Sequence, residues 1–156
     1  MTVEWTQTAD TFANIDKSKL PHLDEKGLYA ILGAVFDKPQ NQWTKFNLLY
    51  IGQAFDQTLR VRIPQPHDAY ACFDENLKKT TKTAIVMVGI VTQASVKPIT
   101  QSLFDDVECC LIHSNQPLCN TDCKAEYKGR PLKITNTEGY PPLKPASECA
   151  PKPSPD

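Results

Sequence analysis

The sequence predicts a small α+β domain, a three-stranded antiparallel sheet flanked by helices. Residues 27–36 and 83–91 are short apolar runs rich in aliphatic and aromatic side chains, which is typical of buried strands. A further extended run, residues 44–52, follows the first after the turn-rich segment DKPQNQ. We therefore expect these two runs to form an antiparallel hairpin, with helices between and after the strands.

A short helix is predicted directly after the hairpin. Phe55, Leu59 and Ile63 recur every four residues, which marks one apolar helical face. Pro64 would end this helix, because proline cannot continue the backbone hydrogen bonding. Gly52 is expected where the chain changes from strand to helix and where a phosphate could approach the backbone.

Two more helices complete the predicted fold. One is expected around residues 68–78, before the last strand. The other follows that strand, with Thr100 or Ser102 as its capping residue, and runs to about His113.

The chain of 156 residues suits one core, with two flanking segments. Residues 27–120 hold the predicted strands and helices, and residues 1–26 form an N-terminal extension. Residues 121–156 are polar and proline-rich, with only LKIT as an extended piece, and their end is predicted to be disordered.

Composition excludes some functional classes. The formal net charge is −1, so a polyanionic partner would have to bind a local basic patch. The apolar runs are far shorter than the ~20 residues of a membrane helix, and the first residues do not resemble a secretion signal. We expect a soluble, cytoplasmic protein without a membrane partner.

Six cysteines leave three alternatives open. Without a secretion signal, reduced and buried thiols are favoured over disulfides. A zinc site is the third alternative, because four soft ligands lie close together in sequence, although their spacing matches no common zinc pattern. These ligands are Cys109, His113, Cys119 and Cys123.

Several short motifs occur in an order typical of one enzyme family. GLY ends at Tyr29, YIG begins at Tyr50, and Arg60 follows the second motif by eight residues. Further on, DDVECCLIHSNQPLCN carries a glutamate, Glu108, then two aliphatic residues, a proline and Asn120. In these features residues 27–120 resemble the GIY-YIG nuclease superfamily.

The resemblance implies a metal-dependent endonuclease that hydrolyses phosphodiester bonds in DNA, with RNA less favoured. Glu108 would bind one Mg²⁺ or Mn²⁺ ion, and Arg60 would stabilise charge on the phosphate. Tyr29 first, and Tyr50 second, would activate the attacking water. Asn120, with Gly52, would shape the active-site wall.

The same positions have structural alternatives that stay open at this point. Glu108 shares a helical face with apolar residues, so it either binds a cation or lies solvated at the edge of that face. Arg60 could simply pair with Asp56 four residues earlier. His67 follows a proline-rich stop and could orient a water or shuttle a proton, although it lies further from Arg60 than in many relatives.

The alternative function is a catalytically weak nucleic-acid-binding or adaptor module on the same fold, which the net charge of −1 favours. Either way, no segment for target recognition is visible in the sequence. A homodimer or a protein partner would therefore supply recognition of the target.

Overall fold

A computed structural model of the protein describes residues 1–94 and 97–155. Within these residues seven strands form a single sheet. The strands are β1 (Thr2–Trp5), β2 (Asp10–Thr11), β3 (Gly27–Asp37), β4 (Gln42–Ala54), β5 (Thr83–Gln93), β6 (Leu132–Thr137) and β7 (Ala146–Cys149).

Helices cover the two faces of this sheet. The helical segments of the described chain are a 3-10 helix (Phe12–Lys17), α1 (Leu59–Arg62), α2 (Tyr70–Thr80) and α3 (Gln101–Asn115). The hydroxyls of Thr58 and Thr100 cap α1 and α3 by accepting backbone hydrogen bonds. None of the described helices is long and apolar enough to cross a membrane.

The sheet is mixed, in the order β4-β3-β5-β1-β6-β7, with β2 pairing β5 beside β1. Strand β1 runs parallel to β6, and the other paired strands are antiparallel. The predicted fold class, a small three-stranded sheet flanked by helices, is therefore wrong. The N-terminal and C-terminal segments add four short strands, and of these the sequence indicates only β6, which begins with the extended piece LKIT.

Several individual elements follow the prediction. Strands β3 and β4 form the expected hairpin, and β5 pairs with the other edge of β3. The helix after the hairpin is shorter than predicted, because β4 continues to Ala54 and α1 begins only at Leu59. Phe55 therefore precedes the helix and packs instead against Phe104, with ring centroids 5.1 Å apart.

Both flanking segments belong to the same sheet as residues 27–120. Strand β1 lies between β5 and β6, so it joins the N-terminal and C-terminal parts of the chain. Strand β7 includes Glu148 and Cys149, which the sequence had placed in a disordered end. The prediction for Asp156 lies outside the described residues.

Strand β3 is buried on both of its faces. Successive side chains of a strand point to opposite faces of the sheet. Leu28 and Leu32 pack in one core beneath α3, whereas Tyr29 and Ile31 pack in a second core beneath α1 and α2. This double burial explains why the run in the sequence is almost continuously apolar.

All six cysteines of the described chain are paired: Cys72 with Cys119, Cys109 with Cys123, and Cys110 with Cys149. The prediction of reduced thiols is therefore wrong. A zinc site on these cysteines is also excluded, because a disulfide sulfur is not a thiolate ligand. Sequence spacing could not predict the pairs, which join residues 14 to 47 positions apart.

Trp5→Ala should show that the N-terminal segment is part of the folded unit. The Trp5 side chain is 1% exposed, and its indole N–H donates to Asn136 on β6. Its truncation should lower the free energy of unfolding by about 3–5 kcal/mol. Val61→Ala, at a side chain 52% exposed, is the control for urea denaturation and should change little. Equal small effects of both changes would contradict the role of β1.

Candidate functional site

An open cleft of about 420 Å³ lies beside the edge strand β4. Its walls come from β4, the loop between α1 and α2, helix α3, and the loop that follows α3. The charged and polar side chains that line it are Tyr50, Arg62, His67, Asp68, Glu108, Asn120, Thr121 and Asp122.

Two tyrosines lie at the base of this cleft. The ring centroids of Tyr29 and Tyr50 are 6.1 Å apart, and both rings contact the imidazole of His67. Tyr50 is partly exposed and lines the cleft, whereas Tyr29 is fully buried beneath it. The predicted neighbourhood of the two tyrosines is therefore present, although only Tyr50 faces open space.

Gly52 makes room for the Tyr29 ring. The two residues are paired across β3 and β4, and a Cβ atom at Gly52 would collide with the phenol of Tyr29. The expected change from strand to helix at Gly52 is wrong, because β4 continues past it. The glycine is required here for close approach of a side chain.

Burial disfavours ionisation of both tyrosines. Desolvation is the main cause that raises the pKa of Tyr29 far above its usual range, with the nearby Tyr50 as a second cause. Desolvation also raises the pKa of Tyr50, and the charge of Glu108 raises it further. Neither phenol is prepared to accept a proton, so the geometry does not favour either as a general base.

His67 is the group best prepared to accept a proton. Desolvation lowers its pKa below the usual value, so the imidazole is neutral near pH 7. Its Nε2 atom lies 3.4 Å from the Tyr29 hydroxyl, 3.3 Å from Arg62 Nη1 and 3.2 Å from the carbonyl oxygen of Ile63. With the proton on Nδ1, Nε2 accepts from either the hydroxyl of Tyr29 or the guanidinium of Arg62, and with the proton on Nε2 it donates to the carbonyl oxygen of Ile63.

The structure brings Arg62 to the cleft and leaves Arg60 outside it. Arg60 forms an ion pair with Asp24, at 2.8 Å, and donates to the carbonyl oxygens of Asp16 and Ser18. The two arginines point in different directions because residues two apart on a helix are about 200° apart. The spacing from Gly52 selected Arg60, which instead holds the N-terminal segment.

Glu108 is a partly buried carboxylate on α3. Desolvation, with the charge of Asp105, raises its pKa from 4.5 to about 7, although the charge of Arg62 acts in the opposite direction. Glu108 is in none of the ion pairs found in residues 1–94 and 97–155. Such a carboxylate is suited to a cation that would offset its charge.

The donor set fits one hard divalent cation bound mainly by non-protein ligands. Glu108 offers carboxylate oxygens, which Mg²⁺ and Mn²⁺ prefer. Nowhere in the described chain do three or more histidine, cysteine, aspartate or glutamate side chains form a metal cage. Phosphate oxygens and waters would have to complete the coordination shell.

Asn120 fixes the outer edge of β4 next to Tyr50. Its side-chain amide donates to the carbonyl oxygen of Ile51 at 3.0 Å and accepts from the N–H of Ile51 at 2.9 Å. The backbone N–H of Cys119 donates to the carbonyl oxygen of Leu49 on the same edge of β4. Asn120 therefore lies in the wall of the cleft and ties the loop after α3 to β4 through backbone hydrogen bonds.

Two disulfides hold the rim of the cleft. Cys72–Cys119 joins α2 to the loop that carries Asn120, and Cys109–Cys123 joins α3 to the next part of that loop. Cys72, Cys119 and Cys123 all line the cleft. The loop after α3 is thus tied to both helices that face the site.

The motif spacing favoured Arg60 over Arg62, gave no role to Asp122 and left disulfides as a disfavoured alternative. Arg62 and Arg60 carry the same charge two positions apart, and only the path of a four-residue helix separates their roles. Asp122 lies two residues after Asn120, and this proximity in sequence is the one feature that could have indicated its place in the cleft. Asp68, Glu108 and Asp122 outnumber Arg62 among the charged lining residues, so the cleft is acidic overall.

Comparisons with protein-family models, with curated proteins and with solved structures find nothing that matches this chain.

Glu108→Gln should stabilise the cation-free protein. A carboxyl whose folded pKa lies above its unfolded value favours folding at low pH, and this contribution is lost as pH rises through about 7. At about pH 8 the substitution should therefore raise the free energy of unfolding by roughly 1–3 kcal/mol, with little effect near pH 4.

Urea denaturation with chelator, at both pH values, measures this effect. The control is Glu75→Gln, at an exposed carboxylate on α2. A loss of stability at the higher pH would show that Glu108 makes a stabilising interaction in the folded protein.

Replacing Cys72 and Cys119 together by alanine should loosen the cleft. We expect the free energy of unfolding to fall by about 2–5 kcal/mol, because the crosslink no longer restricts the unfolded chain. Amide exchange at Ile51 should also become faster, since Asn120 loses its anchor. The control double variant, Cys110→Ala with Cys149→Ala, removes a disulfide outside the cleft lining. Unchanged protection of Ile51 in the first variant would contradict this role.

Proposed function

We propose that this protein hydrolyses phosphodiester bonds in nucleic acid, DNA in preference to RNA, at the cleft beside β4. The chemistry is that of a divalent-cation-dependent endonuclease. The support is both the resemblance of residues 27–120 to GIY-YIG nucleases and the geometry of the cleft.

One observation carries the proposal: a guanidinium, a neutral imidazole and a partly buried carboxylate without an ion-pair partner among the described residues line a single open cleft. Arg62, His67 and Glu108 all line this space. Within the described residues Arg62 takes part in no ion pair, so its charge is available to an anion. Phosphodiester hydrolysis needs these functions: a positive charge for the phosphate, a proton acceptor for water and a site for a cation.

Each side chain then takes a role. The guanidinium of Arg62 donates hydrogen bonds to the phosphate oxygens and offsets the negative charge that develops there. His67 accepts the proton of the attacking water, because it is neutral and more basic than the buried phenols. Tyr29 is a positioning residue that acts through His67 Nε2. Tyr50 presents its hydroxyl to the substrate at the cleft wall.

Glu108 would hold a Mg²⁺ or Mn²⁺ ion in this cleft. Such an ion polarises a phosphoryl oxygen and neutralises charge on the leaving oxygen. Because the other charged lining residues include Asp68 and Asp122, phosphate binding should depend strongly on the cation.

A second function, a catalytically weak nucleic-acid-binding or adaptor module, is favoured by this same acidic lining. Arg62 is the one basic side chain among the lining residues described. Non-specific affinity for nucleic acid comes mostly from lysine and arginine. This alternative predicts binding without cleavage in the presence of any divalent ion.

The pairing of the cysteines bears on where the protein works. Disulfides persist in oxidising compartments and are rare in the cytosol. We therefore favour an oxidising compartment over the cytoplasm expected from the sequence. One cleft cuts one strand, so cleavage of both strands would require a second copy or a second encounter.

Arg62→Ala should lower the rate of cleavage more than Arg60→Ala. Loss of a charge that stabilises the transition state should reduce the single-turnover rate by roughly 10² to 10³-fold. Arg60→Ala should reduce it less than about tenfold while lowering stability, since Arg60 holds Asp24 and the N-terminal segment. The measurement is the single-turnover rate of cleavage at saturating enzyme. The substrates are duplex, flap, junction and single-stranded DNA and RNA, each with Mg²⁺, Mn²⁺ or chelator.

Glu108→Gln is the inactive reference in this experiment, because it deletes the proposed cation ligand at constant side-chain size. Near-normal turnover of that variant would contradict the site. A larger rate loss for Arg60→Ala than for Arg62→Ala would contradict the assigned roles. Wild-type protein that binds without cutting any substrate would favour the adaptor function.

A further inference from the structure

A second cleft, of about 730 Å³, lies at the far end of the β3–β4 hairpin. Four aromatic rings line it in two pairs. Phe36 and Trp43 are paired across the strands, with ring centroids 5.1 Å apart, and Phe46 stacks on Tyr140 at 4.7 Å. Phe36 is 42% exposed, and the other three rings are partly exposed.

The backbone of β4 places a lysine, Lys45, among the residues that line this cleft. Between Gly33 and Val35 the pairing of the two strands shifts, and β4 carries an extra residue there. Lys45 lies in this bulge with a φ of 55°, which is uncommon for a residue other than glycine. Bulges often redirect a side chain, and Lys45 lines the cleft.

The rest of the lining is uncharged. The other residues are Gln7, Thr8, Ala9, Asn41, Gln42 and Thr44, and none of the lining residues described is acidic. This cleft therefore differs from the acidic cleft around Glu108. Aromatic faces beside a lysine, with amide and hydroxyl groups, match bases joined by a phosphate backbone.

We propose that this aromatic cleft binds a single strand of nucleic acid by stacking bases on Trp43 and Phe36, with Lys45 against a phosphate. The identity of the ligand rests on the proposed function. Trp43 and Tyr50 lie on the same strand, about 23 Å apart along it. The cleft would therefore hold a single-stranded part of the substrate at a distance from the bond that is cut.

The outer edge of β4 is covered near Tyr50 and open near the aromatic cleft. Strand β4 is the last strand of the sheet order. The loop after α3 covers its outer edge at Leu48, Leu49 and Ile51. Towards the hairpin turn, the described residues place no backbone partner on that edge.

Fluorescence of Trp43 tests this binding directly. Trp5 is 1% exposed and hydrogen-bonded to Asn136, so a ligand-dependent change reports Trp43. Oligothymidylate of about ten nucleotides, added to the full chain in chelator, should quench the emission saturably. No quenching, or equal quenching by dextran sulfate, which has charge but no bases, would overturn the proposal. Quenching by a neutral oligosaccharide or a proline-rich peptide instead would also overturn it.

Affinities of variants, measured by the fluorescence anisotropy of a labelled oligonucleotide, test whether the strand binds at this cleft. Trp43→Ala, and separately Phe36→Ala, should weaken binding about tenfold or more. Phe36→Ala also guards against misfolding, because Phe36 is 42% exposed and its truncation should disturb the core less than a change at a buried residue. Lys45→Ala should weaken binding and reduce its salt dependence, whereas Lys133→Ala, an exposed lysine on β6, is the matched control. Unchanged affinity in Trp43→Ala and Phe36→Ala would overturn the site.

The two proposals fail separately. Binding that depends on Trp43, without cleavage by the wild type, would refute phosphodiester hydrolysis and support the aromatic cleft. Cleavage with binding that is indifferent to Trp43 and Phe36 would refute the aromatic cleft and leave hydrolysis intact.

Discussion

Burial of β3 on both faces is the constraint on which the candidate site depends. A strand with two buried faces cannot shift its register by one residue, because every side chain would then exchange cores. The register places Tyr29 opposite Gly52, and only a residue without a Cβ leaves space for that ring. The buried phenol in turn contacts His67 from below. The position of the imidazole in the cleft thus follows from the packing of one strand.

The cleft contains groups that do not favour folding. Desolvation raises the pKa of Glu108 and lowers the pKa of His67, so burial opposes the charged form of both groups. Two disulfides, Cys72–Cys119 and Cys109–Cys123, hold the surrounding loop in place. Such a combination of unfavourable charges and covalent restraint is typical of sites where function, and not stability, determines the residues.

Much of the candidate site could be predicted from local patterns. Tyr50, His67, Glu108 and Asn120 line one cleft, as the order of the motifs suggested. The choice between two arginines could not be predicted. It depends on the direction of a helix of four residues, whose start was misplaced because β4 extends beyond Gly52. The two arginines lie about half a turn apart on either side of the buried Leu59 and Ile63, so only the tertiary position of this helix decides which of them enters the cleft.

The sequence by itself determined the β3–β4 hairpin, strand β5 and helix α3, because long apolar runs and capping residues act locally. It did not determine the sheet they join. Strands β1, β2 and β7 are short and carry little strand signal, and they are strands because each pairs with a strand that it meets only in the folded sheet. Strand β6 begins with LKIT, the one extended piece that the sequence indicates in this segment. The pairing of the cysteines also depends on tertiary structure, since the partners of each disulfide meet only after the sheet and helices have packed. Tertiary structure alone decided which of two like-charged arginines faces the cleft, because side-chain direction depends on the backbone path and not on residue type.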